Sequence, residues 1–311
     1  LFAEKGIVVS LNDEYANRYF ISSLIYLREE LKCSLPIEVW HDGEELSEET
    51  MMVLKEFSNI TFCDFEKFLN KKFGSLRGWH SKPFMLHCSR FDEICLMDAD
   101  VYFFDNPEKM FLNKGYLETG AYFFRDRIIY YPPDLPFFVK RKKMFRALIT
   151  KPSSYVPEQF LHLWDDQISV GKSVVIGDYQ EAGCLFIDKK RHLRGISKII
   201  HLTLKREYVY DCVHGDKETY WMGLEIAKEP YTFNDSIPCA VKSNGEENTM
   251  IHFVEGALFY EQKQPIQALE DTAFSGYKEI LGEDELYLSR KATLEEIDSL
   301  NKLYRCYKEC N

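Results

Sequence analysis

Short unbroken apolar runs alternate along the chain with stretches in which apolar residues return every three or four positions, a pattern that predicts an α/β protein. Gly6-Ile7-Val8-Val9-Ser10 reads as a first strand, and over residues 14–31 Phe20, Ile21, Leu24, Leu27 and Leu31 recur at helical spacing. Pro36 turns the chain back. Residues 37–41 predict a second strand closed by Asp42-Gly43, residues 48–57 a helix, and residues 60–65 a third strand. This βαβαβ order is that of a nucleotide-binding half-domain. Ser81 is placed to cap a helix with Pro83 in its first positions, and that helix leads into Ile94-Cys95-Leu96-Met97, read as a buried strand. Further strands are predicted at 120–124, 183–188 and 250–254, and helices at about 191–204 and 217–228. Thr293-Leu294-Glu295-Glu296 has capping-box spacing and opens a helix with Leu294, Ile297, Leu300, Leu303 and Tyr307 facing inward.

Residues 127–172 break the alternation. They gather five of the eleven prolines, Pro132, Pro133, Pro136, Pro152 and Pro157, with Lys140, Arg141, Lys142, Lys143 and Arg146 among aromatics. Such a segment suits a lid or an acceptor-binding surface, and its basic run equally suits a solvated helix face. No repeat or linker is visible, so residues 1–311 are expected to form one domain. Its parts are a donor-binding half at about 1–126, the insertion at 127–172, an acceptor and catalytic half at 173–260, and C-terminal helices at 261–311.

With 45% hydrophobic residues the chain can bury a substantial core, and a net charge of −11 excludes nucleic acid as an expected partner. No apolar stretch reaches the roughly 20 residues that span a bilayer. Leu1-Phe2-Ala3 has neither initiator Met nor signal peptide, so the N-terminus reads as trimmed, an anchor or targeting segment having been lost. Nine cysteines contain no C-x-x-C, which argues against a zinc site; Cys88, Cys95 and Cys184 read as buried small hydrophobes. Two N-x-S/T sequons, at Asn59 and Asn234, suit a secretory protein.

Asp98-Ala99-Asp100 follows the buried strand directly. Two carboxylates leaving one strand end can reach one site at the sheet's carboxyl edge, where open α/β sheets bind ligands, and their hard oxygens suit Mg²⁺ or Mn²⁺ bridging to phosphate. The alternative is an acidic turn that merely stops a strand. Asn12, Asp13 and Tyr15, after the first strand, stand where a base or ribose would lie. Lys82, at a helix start, is a candidate cation for phosphate, or an ordinary exposed lysine; Trp79 and His80 beside it are candidate walls of a sugar pocket. Glu181 and Asp216, with Lys217 next to it, are candidate catalytic residues, and Gly183 permits close backbone approach. Asp216 is equally placed to cap a helix starting at Lys217.

Several blocks occur together in a familiar order: Leu35-Pro36-Ile37-Glu38-Val39-Trp40-His41, Gly78-Trp79-His80-Ser81-Lys82-Pro83-Phe84, residues 93–100 and Asn106-Pro107-Glu108-Lys109-Met110-Phe111. Downstream come Gly120-Ala121-Tyr122-Phe123-Phe124, Glu181-Ala182-Gly183 and Gly215-Asp216-Lys217-Glu218-Thr219-Tyr220-Trp221. Over about residues 6–256 the chain resembles the fungal-type α-mannosyltransferase family, glycosyltransferase family 71. The resemblance implies a GT-A fold, with a Rossmann-like mixed central sheet flanked by helices. It implies transfer of mannose from GDP-mannose, with retention, to a mannose-containing glycan or glycoprotein, using Mn²⁺ or Mg²⁺ in the Golgi or secretory-pathway lumen. Asp100 would bind the metal directly and Asp98 would also touch the ribose, with Ala99 between them at the nucleotide. His252, in His252-Phe253-Val254-Glu255-Gly256, resembles the His-x-x-Gly element that supplies a third metal ligand, with Gly256 beside the donor; a core histidine is the other reading. The lysine that often follows this element is replaced by Phe259, Tyr260 and Glu261. The same scaffold using UDP-glucose, UDP-galactose or UDP-xylose is the rival donor reading, and a non-catalytic glycan-binding member of the fold is the rival function.

Overall fold

The computed structural model describes residues 4–68, 80–127, 130–131, 135–165, 175–176, 179–276, 279–281, 284–286 and 289–310. Its strands are β1 (Lys5–Ser10), β2 (Ile37–His41), β3 (Ile60–Asp64), β4 (Glu93–Met97), β5 (Val101–Phe103), β6 (Ala121–Arg125), β7 (Tyr130–Tyr131), β8 (Val175–Ile176) and β9 (Gln180–Asp188). After these come β10 (Thr232–Phe233), β11 (Cys239–Ser243), β12 (Glu246–Val254), β13 (Ala257–Gln262), β14 (Ala273–Gly276), β15 (Glu279–Leu281), β16 (Asp284–Leu286) and β17 (Ser289–Lys291). Seven form a central sheet in the order β10-β6-β9-β4-β1-β2-β3. β1 to β4 are mutually parallel, and β9 runs antiparallel between β4 and β6. The expected mixed sheet flanked by helices is therefore present.

β1 and β4 are continuously apolar because helices cover both sheet faces. Ile7, Val9, Cys95 and Met97 point into one core with Phe20, Leu24 and Leu27. Val8, Ile94 and Leu96 point into the other with Phe84, Leu86 and Trp221. A second sheet, β17-β14-β11-β12-β13-β5, packs around Val241, Ile251, Phe253 and Phe274. Its edge strand β5 begins one residue after Asp100, so Asp98-Ala99-Asp100 is the crossing from the first sheet to the second. The C-terminal segment thus carries strands β14 to β17 ahead of a single helix, Leu294–Cys310, where helices were expected.

Local chemistry explains other differences. The helix expected over 14–31 is split into Asp13–Tyr15, a π-turn at Ala16–Phe20 and Ile21–Glu29. The helix Lys82–Cys88 carries Pro83 in its first turn as predicted, but the Ser81 side chain makes no capping hydrogen bond. The capping box at Thr293 and Glu296 is reciprocal, at 2.8 and 3.2 Å; Leu300, Leu303 and Tyr307 are buried, whereas Leu294 is 83% exposed. In the insertion, helix Pro136–Leu148 turns Lys140 and Lys143 outward but buries Arg141, which lies 3.8 Å from Glu218. Asn59 is exposed. Asn234 is buried and bonded to the Tyr122 hydroxyl and the Ser236 and Phe253 carbonyls, out of reach of glycosylation in the folded chain. All nine cysteines are free, Cys95 and Cys184 being fully buried and Cys88 partly so. Among the described residues no helix is long and apolar enough to cross a membrane.

Helices Leu193–Leu204 and Thr219–Ala227 press together at Gly195 and Gly223. A Cβ on Gly223 would lie 2.3 Å from the Ile199 side chain, 2.9 Å from its nitrogen and 3.0 Å from the Gly195 carbonyl. Gly223→Ala is therefore expected to destabilise the protein by about 1–3 kcal/mol of overpacking, although alanine is intrinsically the better helix former. Denaturant midpoints test this; an unchanged or raised midpoint contradicts the packing.

Candidate active site

Neighbouring strands of a sheet lie about 4.8 Å apart, so ligands reaching four strand ends must be extended. One cavity, of about 570 Å³, runs along this edge. Ser10, Leu11, Asn12 and Tyr15 enter it after β1, Asp98, Ala99 and Asp100 after β4, and Glu181 and Ala182 from the start of the antiparallel β9. Lys82, His214, Asp216, Lys217, Gln262 and Lys263 complete much of the wall. The structure thus brings together Asn12, Tyr15, Lys82, Asp98, Ala99, Asp100, Glu181, Asp216 and Lys217 as the sequence predicts.

Asp98 is anchored by its own N–H, which donates to the Gly183 carbonyl at 2.7 Å. Its carboxylate meets the Lys82 ammonium at 2.5 Å. Lys82 is buried, lies 3.7 Å from Asp216 and donates to the Ala182 carbonyl at 3.3 Å. It therefore ties two carboxylates together instead of projecting as a free cation. Burial opposes its charge, but Asp216 and Asp98 outweigh burial and raise its pKa. Burial pushes Asp98 up from 3.8 to about 7, with Asp100 adding to the rise and Lys82 resisting it. Asp100, raised mainly by burial, faces the cavity. Tyr15 presents a half-exposed ring there, its phenol raised by burial and then by the Asp100 charge.

A second ion cluster stands on the β9 side. Lys217 donates to Glu181 at 3.0 Å and to the buried Asp126 at 2.8 Å. The other Glu181 oxygen accepts the Gly183 N–H at 2.8 Å. Burial works against the Glu181 carboxylate, yet Lys217 holds it below its ordinary pKa. Asp216 accepts the Tyr220 hydroxyl at 2.6 Å. It caps nothing with its side chain: the helix begins at Thr219, and only the Asp216 carbonyl accepts the Thr219 N–H, at 2.9 Å. The carboxylate instead lines the cavity.

Other expectations are corrected. His252 is fully buried and outside the cavity, stacked on Tyr260 at 4.2 Å and edge-on to Phe124, with neither ring nitrogen hydrogen-bonded. Burial lowers its pKa to about 3. β12 is buried on both faces over residues 250–253, and Met250, two residues earlier, lines the cavity. Gly256 sits at the β12–β13 turn with φ 84°, away from the cavity lining. Gly183 allows a close approach to the Gln262 amide, 2.3 Å from where a Cβ would lie, not to the cavity. Asp13 accepts the Ser47 N–H at 2.9 Å and is a structural brace. His80 packs on Tyr210 and is absent from the wall; Trp79 lies outside the described residues.

Sequence reading missed Lys263, whose N–H donates to the Asp100 carbonyl at 2.9 Å and whose ammonium favours the Asp100 carboxylate. It stands just beyond the β12–β13 hairpin and lines the cavity. Arg127, Glu45 and Gln262 were missed too, since no spacing rule links them to Asp98. Among the described residues no group of three or more His, Cys, Asp or Glu side chains is arranged to hold a metal. Two carboxylates at an open edge, with the buried and unpartnered Gln262 carbonyl oxygen on the strand paired with Val101, fit another arrangement. They suit a hard divalent cation that completes its shell with phosphate and water.

A family model described as "Mannosyltransferase putative" matches residues 4–268. The Candida albicans protein named "Putative alpha-1,3-mannosyltransferase MNN15" is 30% identical over 288 residues, covering 79% of this chain and 36% of that protein. Saccharomyces cerevisiae alpha-1,3-mannosyltransferase MNT2 is 24% identical over 281 residues, covering 83% of this chain and 48% of that one. The chain spans roughly a third to a half of the length of these relatives. Core-mannan synthase A (CmsA/Ktr4) from Aspergillus fumigatus, in an Mn/GDP form, superposes with a TM-score of 0.47 at 12% identity, covering 72% of this chain and 70% of that one.

Because Asp98 binds its proton more tightly folded than unfolded, its contribution to stability is complete below about pH 4 and is lost as pH rises through about 7. In chelator, Asp98→Asn is expected to flatten the fall in stability between pH 4 and 7. Urea titrations at three pH values measure it; an unchanged slope contradicts the raised pKa.

Proposed function

The chain belongs to this mannosyltransferase family, and on that premise we propose that it is a metal-dependent, retaining α-mannosyltransferase. It moves mannose from GDP-mannose to a mannose-containing glycan or glycoprotein in the lumen of the secretory pathway, most specifically the Golgi. The observation that carries this reading is one cavity lined at its centre by Asp98 and Asp100 and at one end by two lysine-bridged carboxylate clusters.

Breaking a sugar–phosphate bond leaves negative charge on the diphosphate and positive charge on the anomeric carbon. Asp100, with Asp98, would hold Mn²⁺ or Mg²⁺, and when bound that ion neutralises the departing diphosphate. Lys263, beside Asp100, adds a fixed positive charge on the same side. Tyr15 offers its exposed ring as a platform for the base, and Asn12 is spent partly on shaping that platform, its Oδ1 accepting the Tyr15 N–H at 2.9 Å. Glu181 and Asp216 are the acids that would face the sugar. Lys217 keeps Glu181 ionised at neutral pH, so Glu181 is suited to stabilise a cationic carbon and not to donate a proton. Lys82 couples the two ends: its ammonium is shared by Asp98 on the diphosphate side and Asp216 on the sugar side.

Mn²⁺ with GDP is expected to raise the melting temperature more than Mn²⁺ with UDP, and stabilisation by UDP alone would sink the mannosyl assignment. Hydrolysis of GDP-mannose in Mn²⁺ is expected to fall about a hundredfold or more in Asp100→Ala, with circular dichroism unchanged. Hydrolysis that persists in the folded variant places the metal elsewhere.

A further inference from the structure

The end of the cavity opposite Glu181 and Asp216 holds a carboxylate that the reaction does not use. Glu45 lines the cavity with Asn12 and Tyr15, and its side chain is exposed. It comes from the loop after β2. In the sheet β2 lies next to β1, β1 next to β4 and β4 next to β9, so three strand spacings, about 14 Å, separate the Glu45 end from the Glu181 end. That is the reach of an extended nucleoside diphosphate sugar, with Asp98 and Asp100 between.

The loop is built, not loose. Gly43 takes a φ of 52°, and the Glu45 N–H closes a tight turn on the Asp42 carbonyl at 3.1 Å. His41 Nδ1 lies 3.0 Å from the Gly43 carbonyl. Ser47 caps the helix Glu48–Lys55, and its N–H is bonded to Asp13, in the turn that carries Tyr15. The backbone that carries Glu45 is thus tied to the turn that carries Tyr15.

A carboxylate accepts hydrogen bonds and donates none. Among the common bases guanine alone offers two adjacent donors, N1–H and the 2-amino group, on one edge; uracil offers a single N–H between two carbonyl oxygens that a carboxylate repels. We propose that Glu45 reads the N1–H and 2-amino edge of guanine and is the residue that selects a guanosine diphosphate donor over a uridine one. This rests on the proposed donor reading and goes beyond it by naming the group that discriminates the base.

The test compares binding of GDP, IDP (the same nucleotide without the 2-amino group) and UDP in Mn²⁺ by calorimetry, in the wild-type chain and in Glu45→Ala and Glu45→Gln. Glu45 is exposed on a surface turn, and melting without nucleotide confirms that both variants fold. The wild type is expected to bind GDP about tenfold tighter than IDP and tighter still than UDP, since a hydrogen bond to a charged group carries that much discrimination. In Glu45→Ala the GDP to IDP ratio is expected to fall to about one, and in Glu45→Gln to drop most of the way. If GDP and IDP weaken equally, Glu45 touches the ribose and the proposal is overturned; unchanged GDP binding overturns it as well. A wild-type chain that binds UDP but not GDP overturns the donor reading and this inference together, whereas GDP binding that ignores Glu45 overturns this inference alone.

Discussion

Everything around the cavity depends on two ammonium groups, Lys82 buried and Lys217 partly so, each shared between two carboxylates. Lys82 stands between Asp98 and Asp216, and Lys217 between Glu181 and Asp126. Like charges about 4 Å apart repel by about 4 kcal/mol in the effective dielectric near a protein surface. Four acids therefore cannot be crowded onto one sheet edge without cations placed among them. The same two lysines join the helix Lys82–Cys88, the ends of β4, β6 and β9 and the turn before Thr219. Electrostatic neutralisation and the assembly of the edge are one event. Removing Lys217 strands the buried Glu181 and Asp126 carboxylates, a loss that typically costs about 3–5 kcal/mol.

The second constraint is geometric. Asp98-Ala99-Asp100 lies where the chain leaves one sheet and enters another. The Asp98 N–H is bonded to the Gly183 carbonyl of the first sheet, whereas the Asp100 carbonyl accepts the Lys263 N–H from the end of the second. Each aspartate is consequently registered by a different sheet. The separation of the two carboxylates is set by how the sheets dock, through Phe103, Phe124, Phe259 and Tyr260 in their shared core.

What was legible in the sequence was local. The apolar run before Asp98, the turn after β1 and the Glu181 and Asp216 blocks carry their own signals, and Asn12, Tyr15, Asp98, Asp100, Glu181 and Asp216 all line the one cavity. Lys82 was found for its position at a helix start, but burial turned the expected phosphate cation into a carboxylate bridge. Pairing between distant segments was not legible. Lys263 reaches Asp100 only because β13 pairs with β5, and Glu45 shares a cavity with Tyr15 only because β2 lies beside β1. His252 lies outside the cavity for a related reason: a stretch buried on both faces, as residues 250–253 are, gives no alternation from which to tell which side chain faces a ligand, and a register irregularity follows at His252 and Phe253. Among the five cations of the basic run at 140–146, Arg141 was hidden by the same kind of distant partner, Glu218.

The helix Leu294–Cys310 lays Leu303 and Tyr307 against Tyr26 and Tyr102, so the end of the chain closes over its beginning. β5, next to Asp100, likewise finds its partner only in β13. A ribosome delivers the N-terminal strands first. While the rest of the chain is being made, residues 101–103 form an unpaired strand edge, and the aspartate beside them has no second sheet to fix it. The cavity is therefore complete only once residues up to Lys263 have been added, and during synthesis a nascent chain has the sheet that would hold a nucleotide before it has the site.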